Sequence, residues 1–159
     1  MKNLFSHIIQ KRYSHAYEDI ATDALAYILN THDTARQAMM QFLRSIEPAL
    51  PDLNFNTQIV EGTIRPDMWG YSGNKTFLYV EDKFWAGLTE NQPVNYLEEL
   101  RKYDNPTLLL VVVPGAREQT MVIELIRRIM EAGIGFTECD AHHKGIVWQI
   151  QTDIGPSLT

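Results

Sequence analysis

Apolar positions recur along this chain at two periods, and the switches between them divide it into elements. Leu4, Phe5, Ile8 and Ile9 fall at helical spacing and predict a short amphipathic helix over residues 1–13. Tyr17, Ile20, Ala24, Tyr27 and Ile28 predict a second helix from about Ser14 to Asn30. His32-Asp33-Thr34 breaks it and starts a third. There Thr34-x-x-Gln37 has capping-box spacing and Met39, Met40, Leu43 and Ile46 form the stripe, until Pro48 and Pro51 end it. The period then drops to two. Leu53, Phe55, Thr57 and Ile59 alternate in a strand running to Glu61, and two further arms, Ile64 to Trp69 and Thr76 to Val80, flank a Gly/Ser/Asn turn from Tyr71 to Asn74.

Helical spacing returns at Thr89-x-x-Gln92, a second capping-box pattern with Pro93 expected as the fourth helical residue; Gln92, Tyr96, Leu100 and Tyr103 share one face. Thr107 to Val113 is a continuous apolar run, the mark of a central strand covered on both faces and parallel to a neighbour. Met121, Val122, Leu125, Ile126 and Ile129 predict a helix stopped by Gly133. Phe136 to Cys139 and Gly145 to Ile150 predict two late strands around a turn at Asp140 to Lys144. The fold class expected is α/β, a mixed sheet of about five strands flanked by helices.

Composition adds limits. A chain of 159 residues, 45% hydrophobic and 21% charged, is most simply one domain spanning 1–159, with the 1–13 helix as an accessory. No apolar run reaches the roughly 18 residues of a membrane span. The start MKNLFSHIIQKRY lacks the long apolar region of a secretion signal, and a single Cys139 allows no intrachain disulfide. A cytoplasmic protein without a membrane partner is expected. The net charge of −6 counts against a generic nucleic-acid binder, but an enzyme with an acidic centre can carry it. The first 17 residues hold Lys2, His7, Lys11, Arg12 and His15 and no acid, which is either a solvated face or a phosphate contact. Cys139, His142 and His143 match no zinc spacing and read as a hairpin turn. Walker loops, G-x-G-x-x-G and G-x-S-x-G are absent.

The candidate chemistry lies between Arg65 and Lys83, RPDMWGYSGNKTFLYVEDK. Side chains alternate along a strand, so Glu81 and Lys83 share a face roughly 6.6 Å apart while Asp82 points the other way. If the arms about the turn pair, Asp67 falls beside Glu81. Two carboxylates about 4 Å apart repel by about 4 kcal/mol at an effective dielectric near 20. Lys83 offsets one charge; a divalent cation offsets both, and oxygen ligands suit Mg²⁺. Held by Asp67, Glu81 and the main-chain carbonyl of Asp82, such an ion leaves Lys83 to orient or deprotonate water, a site suited to phosphodiester hydrolysis. The plain alternative is a same-face ion pair at a strand end. Glu18, at the border of its helix stripe with Ala21, Thr22 and Leu25, either swings toward the ion or is a solvated acid. Gln92 and Tyr96 either cap and pack or reach back to the site.

Pro66-Asp67 followed by Glu81-Asp82-Lys83, after a helix bearing Glu18 and before a helix bearing Gln92-Pro-Val-Asn-Tyr96, resembles the PD-(D/E)XK nuclease superfamily. The helix pattern is similar to the Q-x-x-x-Y motif of its RecB-like members, and the likeness covers about residues 14–113. It implies a restriction-endonuclease-like fold and a metal-dependent nuclease acting on nucleic acid, DNA first. By the resemblance, Mg²⁺ or Mn²⁺ is bound by Asp67 and Glu81, Lys83 acts on the water, Glu18 supports the site, and Gln92 and Tyr96 give site support or substrate contact. The phrase FWAGLTENQPVNYL is similar to small bacterial nucleases linked to phage defence, which implies a homodimer or larger defence complex. The competing expectation is a non-catalytic nucleic-acid-binding or regulatory module on the same fold. A third is a partner-docking protein that acts through the 1–13 helix.

Overall fold

A computed structural model describes residues 17–57, 64–83, 87–134, 136–139 and 147–152, with backbone alone for 17, 18 and the last two segments. The predicted 1–13 helix, Ile59, and the 140–144 turn with His142 and His143 lie outside the described residues. Helices α1 (Tyr17–Thr31) and α2 (Asp33–Ile46) open the described chain, separated by His32 in an extended conformation. The Thr34-x-x-Gln37 capping box is not formed. Helix α2 begins at Asp33, which puts Thr34 inside the first turn, and no side chain caps the start. Asp33 instead pairs with Arg36 at 2.8 Å.

Strand β1 (Asn54–Thr57) is followed by β2 (Met68–Ser72) and β3 (Lys75–Asp82). Pro66 has no N–H for a ladder, so β2 starts after it rather than at Ile64. At its other end β2 runs on to Ser72, and the hairpin turn is only Gly73-Asn74, with Gly73 in the left-handed region at φ 58°. Met68 pairs with Val80 and Gly70 with Leu78, and a bulge follows at Gly70/Tyr71. Gly70 is required by closeness: a Cβ there would stand 2.9 Å from Leu78 Cβ and 3.0 Å from Leu53 Cδ1.

Helix α3 (Val94–Leu100) starts one residue after Pro93, so Pro93 precedes the helix rather than being its fourth residue. The four residues Glu90 to Pro93 form turns, and the Gln92 N–H donates to Thr89 O at 3.1 Å. The apolar run becomes β4 (Leu108–Val112), parallel to β3 with Val80 opposite Leu110. A 3₁₀ turn (Gly115–Arg117) leads into α4 (Glu118–Glu131), which Gly133 follows at φ 68°. Strands β5 (Phe136–Cys139) and β6 (Val147–Thr152) complete a mixed sheet in the order β1-β2-β3-β4-β6-β5. Six strands are thus present among the described residues, against about five expected, and the first four carry described side chains.

The sheet separates two cores. On one face Leu78, Val80, Leu108 and Leu110 meet Ala26, Leu29, Met40 and Leu43 of α1 and α2. On the other, Trp69, Tyr79, Leu109 and Val111 meet Tyr96, Leu97 and Leu100 of α3 and Leu125 and Ile129 of α4. Strand β3 is buried on both faces from Thr76 to its end, as expected for a central strand. Its last residues therefore carry their charges into buried ground on alternate sides. No helix among the described residues is long and apolar enough to cross a membrane.

Candidate active site

Pairing of β2 with β3 brings the predicted acids together. Met68 opposite Val80 is the last pair of the hairpin, so Asp67 and Glu81 lie just beyond it on the two arms, and Asp67 Oδ2 accepts the Asp82 N–H at 2.7 Å. The carboxylate after Pro66 is thereby tied to the backbone of β3. Lys83 continues the parallel ladder, its N–H donating to Val112 O at 2.8 Å, and its carbonyl accepts Arg117 Nη1 at 3.1 Å.

Glu81 sits on the α3 side of the sheet, 4% exposed. Its Oε1 contacts Lys83 Nζ at 2.5 Å and accepts Gln92 Nε2 at 2.7 Å. Its Oε2 is buried without a hydrogen-bond partner. Burial pushes the Glu81 carboxyl above its ordinary range, opposed by the adjacent Lys83 charge and the Gln92 donor.

Capping and reaching back turn out to be compatible in Gln92. Its Oε1 accepts the Thr89 N–H at 3.2 Å, which is the return half of the capping box, while Nε2 donates to Glu81 and to the Tyr96 hydroxyl at 3.0 Å. One amide thus spends its acceptor on the turn and its donors on the site. Tyr96, facing the core, donates its hydroxyl proton to Arg65 O at 3.0 Å and so holds the chain two residues before Asp67. Burial and then the Glu81 charge hold the Tyr96 phenol above its ordinary range.

Asp82 points to the opposite face, as alternation requires. There it accepts the hydroxyl of Thr22, itself 1% exposed, from α1. Glu18 lies one turn before Thr22 on that helix; its side chain is outside the described residues. Asp19, Thr22, Asp23, Arg65, Pro66 and Asp67 line a crevice of about 10 Å³, close to the room one water needs. The structure therefore joins Glu81, Lys83, Gln92 and Tyr96 on one side and Asp82 with Thr22 on the other, with Asp67 bonded to the Asp82 N–H and lining the crevice beside Thr22. Sequence reasoning missed Thr22, Arg65 and Arg117. Thr22 alone carried a signal, being four residues from Glu18 on one helix face; the other two act through backbone carbonyl contacts that no pattern records.

Oxygen donors with an excess of negative charge are what a hard cation needs. On the α3 side Glu81 meets one ammonium, and its Oε2 is the carboxylate oxygen there that lacks a donor, a feature a hard cation could meet. Among the described residues, no three His, Cys, Asp or Glu side chains are grouped so as to hold a metal by themselves. Comparison with protein-family models, curated proteins and solved structures found no match.

Proposed function

We propose that this chain is a metal-dependent nuclease of restriction-endonuclease-like fold that hydrolyses phosphodiester bonds of DNA. The observation that carries the proposal is the Glu81 carboxylate, buried beside Lys83 with one oxygen unpartnered, one residue before the Asp82 N–H that holds Asp67. The ordered series Pro66-Asp67, Glu81-Asp82-Lys83 and Gln92…Tyr96, which resembles the PD-(D/E)XK superfamily, supports it. Asp67 and Glu81 would hold the divalent ion, which would supply positive charge against the charge that develops on the phosphate. The protein's own part is positional. Asp67 is fixed by the Asp82 N–H and Glu81 by Lys83 and Gln92. An ammonium has three protons; the Glu81 contact uses one, leaving donors for a water or a phosphate oxygen. Tyr96 and Gln92 do not touch the reacting atoms in this account but keep the acids aligned.

Asp67→Ala and Lys83→Ala are each expected to lose divalent-dependent cleavage of plasmid or single-stranded DNA by about two to three orders of magnitude. The assay is run at a temperature where circular dichroism shows the variant folded. Wild-type cutting by either variant refutes the proposal. A second reading, a binding or regulatory module, is favoured by the engagement of Lys83 with Glu81 and by the acidic pI near 5.3. Calorimetry separates the two: no Mg²⁺ or Mn²⁺ site at millimolar concentration supports the module.

A further inference from the structure

Three backbone carbonyls in the turn ahead of α3 converge on one guanidinium. Arg128 of α4 donates from Nη1 to Gln92 O at 2.9 Å, to Glu90 O at 3.2 Å and to Thr89 O. Its Nε donates to Glu124 Oε1 at 2.7 Å, which fixes the guanidinium plane from within α4. Thr89 and Gln92 are the residues whose mutual hydrogen bonds close the capping turn. Arg128 therefore grips the main chain of the residue whose side chain reaches Glu81.

Helix α4 is held firmly on the sheet by Leu125 and Ile129, both core residues that flank Arg128 in its stripe. The turn itself has little repetitive backbone bonding, so its place relative to β3 depends on what it is tied to. Nη1 offers two protons to the three carbonyls, so one is shared, while Nε holds Glu124, and the rigid guanidinium thereby ties turn and helix together. Neighbouring Arg127 is the natural contrast: it bonds Glu124 and Glu131 of its own helix.

We propose that Arg128 is a positioning residue, anchoring the Thr89–Gln92 turn to α4 and so keeping the Gln92 amide on Glu81. Its bearing on cleavage rests on the nuclease proposal; its bearing on Gln92 does not. In ¹⁵N-labelled protein, the Gln92 side-chain amide protons are expected to exchange with solvent about tenfold faster in Arg128→Met than in wild type. Arg127→Met leaves them unchanged. A purely structural Arg128 would lower the melting temperature without moving this resonance, and unchanged exchange in folded Arg128→Met overturns the proposal. If that variant does not fold, Arg128→Lys carries the test. A compact ammonium cannot span the three carbonyls and Glu124 together, so Gln92 exchange rises severalfold, and wild-type exchange there overturns the proposal equally. In DNA cleavage, Arg128→Lys lowers kcat with KM near wild type. A wild-type chain that cuts nothing would remove the nuclease proposal while leaving the amide measurement to decide the role of Arg128.

Discussion

Replacing Lys83 with methionine strands a buried carboxylate, and the cost can be worked from the contacts. The pair is 2.5 Å apart with side chains 8% and 5% exposed, so neither charge is well screened by water. Without the ammonium, Glu81 keeps Gln92 on Oε1 and nothing on Oε2. Breaking a buried pair from one side costs about 3–5 kcal/mol, far above the roughly 0–1 kcal/mol of an exposed one. The cost depends on pH in a direction that can be stated. The unfolded Glu81 carboxyl titrates near 4.5, and burial raises it in the folded chain. Losing Lys83 raises it further. Between the two values the folded chain holds a proton that the unfolded chain has released, so stability falls as pH rises. Below about pH 4.5 both forms are protonated and the charge penalty is gone. Urea unfolding at pH 8 is expected to show the full loss relative to wild type, and unfolding at pH 4.5 a much smaller one. Adding Glu81→Gln to Lys83→Met should recover most of the loss at pH 8, because no charge is then left buried. A loss below about 1 kcal/mol, equal at both pH values, would mean that the pair is solvated and the site built on it is absent.

Three further outcomes test the surroundings. Gly70→Ala pushes a methyl group against Leu78 and Leu53 and is expected to cost about 1–3 kcal/mol in urea unfolding. Thr22→Val removes the hydroxyl held by Asp82 across the sheet and should cost about 1.5–3 kcal/mol, while a change within error would show that Asp82 is satisfied elsewhere. In an alkaline absorbance titration, Tyr96 should ionise above the ordinary phenol range, and Tyr96→Phe should abolish that late step without altering the earlier ones.

Much of this arrangement was legible in the residues because alternation and pairing are local rules. The period-two pattern put Glu81 and Lys83 on one face and Asp82 on the other, and pairing of the arms about the Tyr71–Asn74 turn brought Asp67 to the end of β3, where it accepts the Asp82 N–H. The continuous run at Leu108 to Val112 announced a central parallel strand. Boundaries were harder to read. Pro66 delays β2, Pro93 falls ahead of α3, and Thr34 lies inside α2, since each depends on which backbone groups find partners rather than on side-chain pattern. Gln92 shows why weighing capping against function misled: an amide has two ends, and spacing cannot say that both are used. Thr22 was nearly invisible, and Arg65 and Arg117 wholly so, for a related reason. Their contacts cross 60, 31 and 34 residues of chain, and in the last two the acceptor is a main-chain oxygen.

The tip of β3 also proofreads the strand. From Thr76 to Val80 this segment is sealed on both sides, so greasy residues face either layer and hydrophobicity alone scarcely distinguishes one alignment from its neighbour. A slip by one position would exchange the two faces, turning Asp82 toward Gln92 and moving Glu81 and Lys83 together toward Thr22. Asp82 would then lose the Thr22 hydroxyl and Glu81 the Gln92 amide in buried surroundings. The same polar residues that gather at the hairpin mouth thus act as a key, admitting a single alignment of an otherwise ambiguous strand.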